Sequence, residues 1–194
     1  MSQLLQERSL ISVIDERRSV RAFSSRKIER ATINALLDAA VRAPTAVDEE
    51  PWGFVVVQAP ALLKQLSDLA KSSLEIAEHE RLAHGGAFAD ALKRPEFNVF
   101  YDAGALVAIG TLKTGRFADA DCWLAAENLM LTAWSMGLGS CVIGSAVPGL
   151  NTPEARQLLG MPADLAIVAP IAIGYPAKEA DPTPRKVPRI IAWL

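Results

Sequence analysis

Apolar residues recur at three- and four-residue intervals over residues 3–16, where Leu4, Leu5, Leu10, Ile11, Val13 and Ile14 alternate with polar side chains. That spacing predicts a helix ending at the arginines that follow. A second helix is predicted over residues 32–42: Ile33, Leu36, Leu37, Ala40 and Val41 share one face, and Pro44 ends it. The period then changes. Residues 53–58 (Gly-Phe-Val-Val-Val-Gln) form a β-branched and aromatic run that predicts a buried strand. Pro60 opens a long amphipathic helix reaching about Leu82, broken by Gly85 and Gly86. Residues 87–101 follow no clean period and are expected as a lid or a short pair of helices.

Nearly continuous apolar sequence over residues 103–112 predicts a central strand. Residues 120–136 predict a long apolar helix, closed by Gly137-Leu138-Gly139 as a glycine stop. Residues 140–143 read as a short strand, and 165–174 as the last and strongest one. Between them Asn151 or Thr152 caps a helix running through Leu159, with Pro153 in its first turn. No repeat and no linker interrupts the series. It predicts a single domain over residues 1–194, of α+β class, with helices flanking a mixed β-sheet. The tail from Pro176 ends on Ile190, Ile191, Trp193 and Leu194. An apolar terminus frays unless something buries it. The tail is therefore expected either on its own domain or against a second subunit.

Composition narrows the function classes. A chain of 194 residues with 51% hydrophobic content suffices for one well-buried core. A net charge of -2 gives no global basic field for nucleic acid, so any anion site must be local. Cys122 and Cys141 lie in apolar sequence with no ligand spacing around them, which suggests neither zinc nor a disulfide framework. His79 and His84 are five positions apart and do not share a helix face, so no metal site is expected there. The most apolar segment, 122–141, carries Glu127 and Asn128 near its middle, which argues for a helix buried in protein rather than in a membrane. No signal peptide is read at the start, and a reducing cytoplasm is the expected compartment.

The residues with chemistry to offer cluster early. Arg17, Arg18 and Arg21 stand with Ser19 just after the first helix. Guanidinium groups are planar and permanently charged, and they meet phosphate with two parallel hydrogen bonds. A serine or backbone donor completes such a cradle. The expectation is an anion site, most simply a phosphate; the plainer reading is a solvated basic turn in which Arg18 or Arg21 pairs with Asp15 or Glu16. There is no dinucleotide or P-loop glycine fingerprint, and no Ser/His/Asp arrangement can be assembled.

Four stretches in order resemble the nitroreductase family of FMN-dependent oxidoreductases. They are Arg17-Arg18-Ser19-Val20-Arg21-Ala22-Phe23; Ala39 to Ala46 followed by Pro51-Trp52-Gly53-Phe54; Ala133 to Ser145; and Pro184-Arg185-Lys186-Val187-Pro188. The resemblance implies a homodimer holding FMN between subunits, with NADH or NADPH as electron donor and a small-molecule acceptor such as a nitroaromatic or quinone, by ping-pong hydride transfer. It also implies site residues. Arg17, Arg18, Ser19 and Arg21 would hold the phosphate and ribityl end, joined by Arg185 or Lys186. Pro44, Thr45, Ala46 and Asp48 would contact the flavin from the other subunit. Gly144 and Ser145 would line the isoalloxazine near its reactive nitrogen, offering a backbone N–H. No side-chain acid or base is required, because the cofactor carries the chemistry. Residues 85–101 are the candidate substrate-facing cap, with Phe88, Phe97, Phe100 and Tyr101 as stacking groups, whereas Trp52 is expected in the core.

One departure from the family pattern stands out. Asp48-Glu49-Glu50 precede Pro51-Trp52, with acids at positions 48 and 50 where the family usually carries amides. An amide can donate, but an ionised carboxylate only accepts. Two rival readings follow: a protein that stores or senses FMN with little turnover, and a non-flavin interaction domain suggested only by the apolar tail. For Asp48 the expected partner is a ribityl hydroxyl. Asp48→Asn should then leave the midpoint potential of bound flavin unchanged; a positive shift in a redox titration would place the carboxylate against the ring instead.

Overall fold

Among the described residues four strands make one sheet: β1 (Trp52–Val57), β2 (Ala105–Thr111), β3 (Gly139–Val142) and β4 (Ala166–Gly174), in the order β1-β2-β4-β3. The computed structural model describes residues 9–79, 87–113 and 115–194. Every residue of β2 is buried, as expected of a central strand whose two faces are both covered. Its side chains alternate. Ala105, Val107 and Ile109 face one core, and Leu106 and Ala108 face the other.

Helices α2 (Arg30–Ala40) and α5 (Ala118–Ser135) fill the first core. Helix α2 contributes Ile33, Leu36 and Ala40. Helix α5 contributes mainly small residues, Cys122, Ala125, Ala126 and Ala133, which let its backbone approach the sheet closely. The second core is built by α3 (Pro60–His79), α6 (Val147–Leu150) and α7 (Pro153–Leu159). Two further helices, α1 (Leu10–Glu16) and α4 (Ala87–Leu92), flank this body. Thr152 caps α7 by accepting from the Ala155 N–H at 3.3 Å. Gly137, at φ +77°, supplies the left-handed turn that stops α5.

The α+β class stands, but the sheet is not mixed. All three strand pairings are antiparallel. A connection long enough to hold helices fits a parallel crossover equally well, so length did not fix direction. Here the chain enters β2 where β1 ended, with Val57 opposite Leu106. Of the first expected helix, residues 10–16 are helical, while residues 3–8 lie outside the described residues, as do the expected helix end at 80–82 and the break at 85–86. Among the described residues no helix is long and apolar enough to cross a membrane.

The arginine segment is laid against the sheet edge. Ser19 makes a parallel bridge with Ser140, and the Val20 N–H donates to the Ser140 carbonyl at 3.0 Å. Phe23 then bridges Pro176, and the Ala177 N–H donates to Ala22 O at 2.9 Å. The chain beyond is exposed: Ile190 at 61%, Ile191 at 82% and Trp193 at 87% do not pack on their own domain, which removes the first of the two options for the tail.

Val20 seats directly over Gly139, where an added Cβ would lie 2.6 Å from Val20 Cγ2. Gly139→Ala should therefore destabilise the protein by roughly 1–3 kcal/mol through overpacking. Combining it with Val20→Ala should cost less than the sum of the two single changes, measured by urea unfolding.

Candidate functional site

Helix α1 ends at Glu16 and leaves carbonyls without helical partners. Arg18 supplies them: its Nη1 donates to the Asp15 carbonyl and, at 2.9 Å, to the Arg17 carbonyl. The partner in Asp15 is thus the backbone, not the carboxylate. Arg18 then lines a cleft of about 520 Å³ with Ser19, Arg21, Lys178, Thr183 and Arg185. Glu179 and Asp181 also reach this cleft, so cations outnumber acids four to two. The sequence left Arg185 and Lys186 open, and the structure brings Arg185 into the cleft while Lys186 is not among the lining residues. Arg17 is placed elsewhere. Its Nε faces the Glu127 carboxylate on α5 at 3.4 Å. Glu127 and Asn128, the polar residues within this apolar helix, meet Arg17 and the Ala39 carbonyl, the latter at 3.3 Å.

Arg21 is shared with a neighbouring cleft of about 640 Å³, bounded by Cys141, Val142, Ile143, Gly144 and Ser145 on one side and by Arg94, Phe97 and Tyr101 on another. Gly144 is instructive. A Cβ built there would meet nothing within 4 Å, so close packing is not the reason for glycine at this position. A side chain would instead project into free space beside the cleft. Burial raises the pKa of both Tyr101 and Cys141, and the Arg21 guanidinium pulls each back part of the way. Both groups therefore stay neutral at physiological pH beside a fixed positive charge.

The residues 44–48 lie at the other end of α5. The Ala46 N–H donates to both carboxylate oxygens of Asp121, at 3.3 and 3.2 Å. Asp121 is only 4% exposed and sits in the first turn of α5, where the helix N-terminus favours a negative charge. The loop is strained beyond that anchor. Val47, Asp48 and Glu50 have φ of 50°, 55° and 44°, a region that L-residues rarely occupy. Pro44, Thr45, Ala46 and Asp48 line neither cleft described above. Asp121 and Glu127 are six positions apart, about 9 Å along the helix axis. One chain thus carries two separate sets of candidate residues, one at each end of this stretch of α5.

The sequence profile of the nitroreductase family matches residues 14–175. The chain belongs to the nitroreductase family. It is 29% identical to an NADH dehydrogenase from Thermus thermophilus, with 92% of each chain covered. It is 26% identical to human iodotyrosine deiodinase 1 over 87% of this chain, but spans 61% of that protein's length. Among solved structures, a nitroreductase with bound FMN from Bacteroides fragilis superposes with a TM-score of 0.80 at 26% identity, covering 96% of this chain and 98% of that one.

Within this nitroreductase-family site, sequence reasoning missed three residues, Lys178, Arg94 and Asp121. Lys178 joins the basic cleft from the tail, and Arg94 joins the second cleft from the turn after α4. Tyr101 was singled out for its ring, but its backbone at φ 55° carried no signal in the sequence. Asp121 was hidden in an apolar helix. A buried acid in such a context must find a donor, and that is the signal that would have found it. Two stacking candidates change status. Phe100 is fully buried and belongs to the core, and the side chain of Phe88 lies outside the described residues. Trp52 is in the core, as expected.

Asp121→Ala leaves the Ala46 N–H without its acceptor and should cost roughly 1–3 kcal/mol of stability, whereas Asp121→Asn keeps one acceptor oxygen and should cost less. Equilibrium unfolding of the flavin-free protein measures both.

Proposed function

We propose that this nitroreductase-family chain is one FMN-binding domain of a homodimeric oxidoreductase that takes electrons from NAD(P)H and passes them to a small electron-poor acceptor, such as a nitroaromatic or a quinone. The observation carrying this reading is the shared Arg21. It joins a cationic cleft holding Arg18, Ser19 and Arg185 to a second cleft floored by Gly144 and Ser145.

The residues fit the cofactor. A phosphate monoester carries between one and two negative charges near pH 7, and three guanidiniums with the Ser19 hydroxyl match that demand. The empty volume beside Gly144 suits a flat ring that needs close backbone approach. When bound, FMN supplies the acceptance and release of hydride. The protein's own part is to grip the phosphate, present backbone at 144–145, and keep Tyr101 and Cys141 neutral.

A second copy of the chain enters for two reasons. Residues 44–48 line neither cleft of their own chain, and Leu10, Ile11, Ile14, Trp123, Leu124 and the tail leave apolar surface exposed. Pairing would bring one chain's loop to the other chain's clefts. A reducing compartment such as the cytoplasm suits two unpaired cysteines. The relatives bear names as different as NADH dehydrogenase and iodotyrosine deiodinase, so the acceptor is the least constrained part of the proposal.

The purified protein should be yellow, should bleach anaerobically with NADH or NADPH, and should regain colour on adding a quinone. Arg18→Gln and Arg185→Gln should each weaken FMN binding about ten- to a hundredfold, the worth of one charge-assisted hydrogen bond, by fluorescence titration. A colourless protein that refuses added FMN overturns the proposal.

A further inference from the structure

The cleft that ends at Gly144 and Ser145 has an unusual lining: two guanidiniums, Arg21 and Arg94, and, among the described residues, no carboxylate. In a chain of net charge -2 this is a local field of one sign. Arg21 is also part of the phosphate cleft, so its charge is already used. Arg94 is a second matter. It does not line that cleft, and among the described residues no carboxylate forms an ion pair with it. Its guanidinium lies 5.9 Å from the centroid of the Phe97 ring.

Two aromatic rings stand beside this cation. Phe97 and Tyr101 meet edge to face, with centroids 5.7 Å apart and planes at 78°. Tyr101 is held there at a cost. It and Asp102 have φ of 55° and 54°, two consecutive left-handed residues, neither of them glycine. A dedicated bracket imposes this turn. The Asn98 side chain, 8% exposed, accepts from the Phe100 N–H at 2.9 Å and donates to Asp102 at 3.0 Å. Fully buried Ser67 on α3 accepts from the Val99 N–H at 3.0 Å. Strain of this kind, over-determined by its surroundings, concentrates at ligand clamps. What it achieves here is the placement of the Tyr101 ring at the cleft wall.

We infer that the physiological acceptor is a flat aromatic molecule bearing an anionic substituent such as a carboxylate, its ring against Phe97 and Tyr101 and its anion paired with Arg94. The inference deepens the oxidoreductase reading and rests on it. An adjoining cleft of about 350 Å³ is also lined by Arg94, Phe97 and Tyr101, and there Glu96 and Asp102 are present. Those acids disfavour an anion in that smaller cleft, so the substituent lies in the larger one, against Arg94. The overall reaction for a nitro acceptor balances as NAD(P)H + H⁺ + ArNO₂ giving NAD(P)⁺ + ArNO + H₂O, two electrons passing from donor to nitro group.

The test compares 4-nitrobenzoate with 4-nitrobenzamide on the FMN-loaded protein. The two are alike in size and differ in charge. Arg94→Gln should lower the benzoate-to-benzamide ratio of kcat/KM about tenfold, through KM for the benzoate, and Arg94→Glu should lower it further, while Arg94→Lys should keep part of it. In the unaltered protein the ratio should fall as salt rises. Anaerobic bleaching by NADH is followed separately in each variant. A ratio that Arg94 substitutions do not change overturns the inference, and slower bleaching with that same unchanged ratio assigns Arg94 to the donor's phosphates instead. If the unaltered protein binds no FMN or does not bleach, the oxidoreductase reading fails and the inference falls with it; if it bleaches normally but the ratio ignores Arg94, the inference alone fails.

Discussion

The pairing of the arginine segment with the outer edge of β3, through the hydrogen bond from the Val20 amide to the Ser140 carbonyl at 3.0 Å, sets where Ser19 and Arg21 stand. Extended backbone alternates its side chains, so once Val20 is turned inward over Gly139, Ser19 and Arg21 must face the other way. Arg18, one position earlier, is steadied by the carbonyls at the end of α1. The same edge carries Cys141 to Ser145 a few residues further on. The cationic groups and the cleft floor are therefore neighbours because one strand edge holds both.

The second organising element is α5. Its alanines let it lie close on the sheet, and its polar exceptions do the anchoring. Asp121 takes the Ala46 amide, Asn128 the Ala39 carbonyl, and Glu127 faces Arg17. The Asp121 carboxylate has a chemical consequence nearby. Burial, then Asp119 and Asp121, push the Cys122 thiol up to about 12, so this cysteine is inert in the folded protein. A thiol whose pKa rises on folding contributes no pH dependence below its unfolded value near 9, and stability falls as pH climbs from there towards 12. Among the described residues, the non-glycine residues with positive φ are confined to the segments 47–50 and 101–102 and do not occur in the α-helices or strands.

Much of this was legible in the order of residues. The helix at Pro60, the strand read from Gly53, the glycine stop at Gly137 and a cap at Asn151 or Thr152, which the structure assigns to Thr152, follow from local rules: a fixed φ, a β-branched run, a left-handed turn, a short polar side chain. The arginine cluster and Gly144 were legible as candidates because their chemistry is intrinsic. Arg17 shows the limit of that reading. It has the same side chain as Arg18 and sits one position away, yet it faces Glu127 on α5, and no local rule separates the two.

Local propensity and periodicity act over a few residues, and that is why the sequence by itself determined the elements, the α+β class and the types of residue available for an anion site. Strand direction, the choice of Arg185 over Lys186, the pairing of Ala46 with Asp121 and the meeting of Arg94 with Tyr101 join residues far apart in the chain or depend on where such contacts place the backbone. Such contacts are set by which surfaces can be buried together and which buried polar groups must be paired. Those are properties of the packed body, and only the tertiary structure decided them.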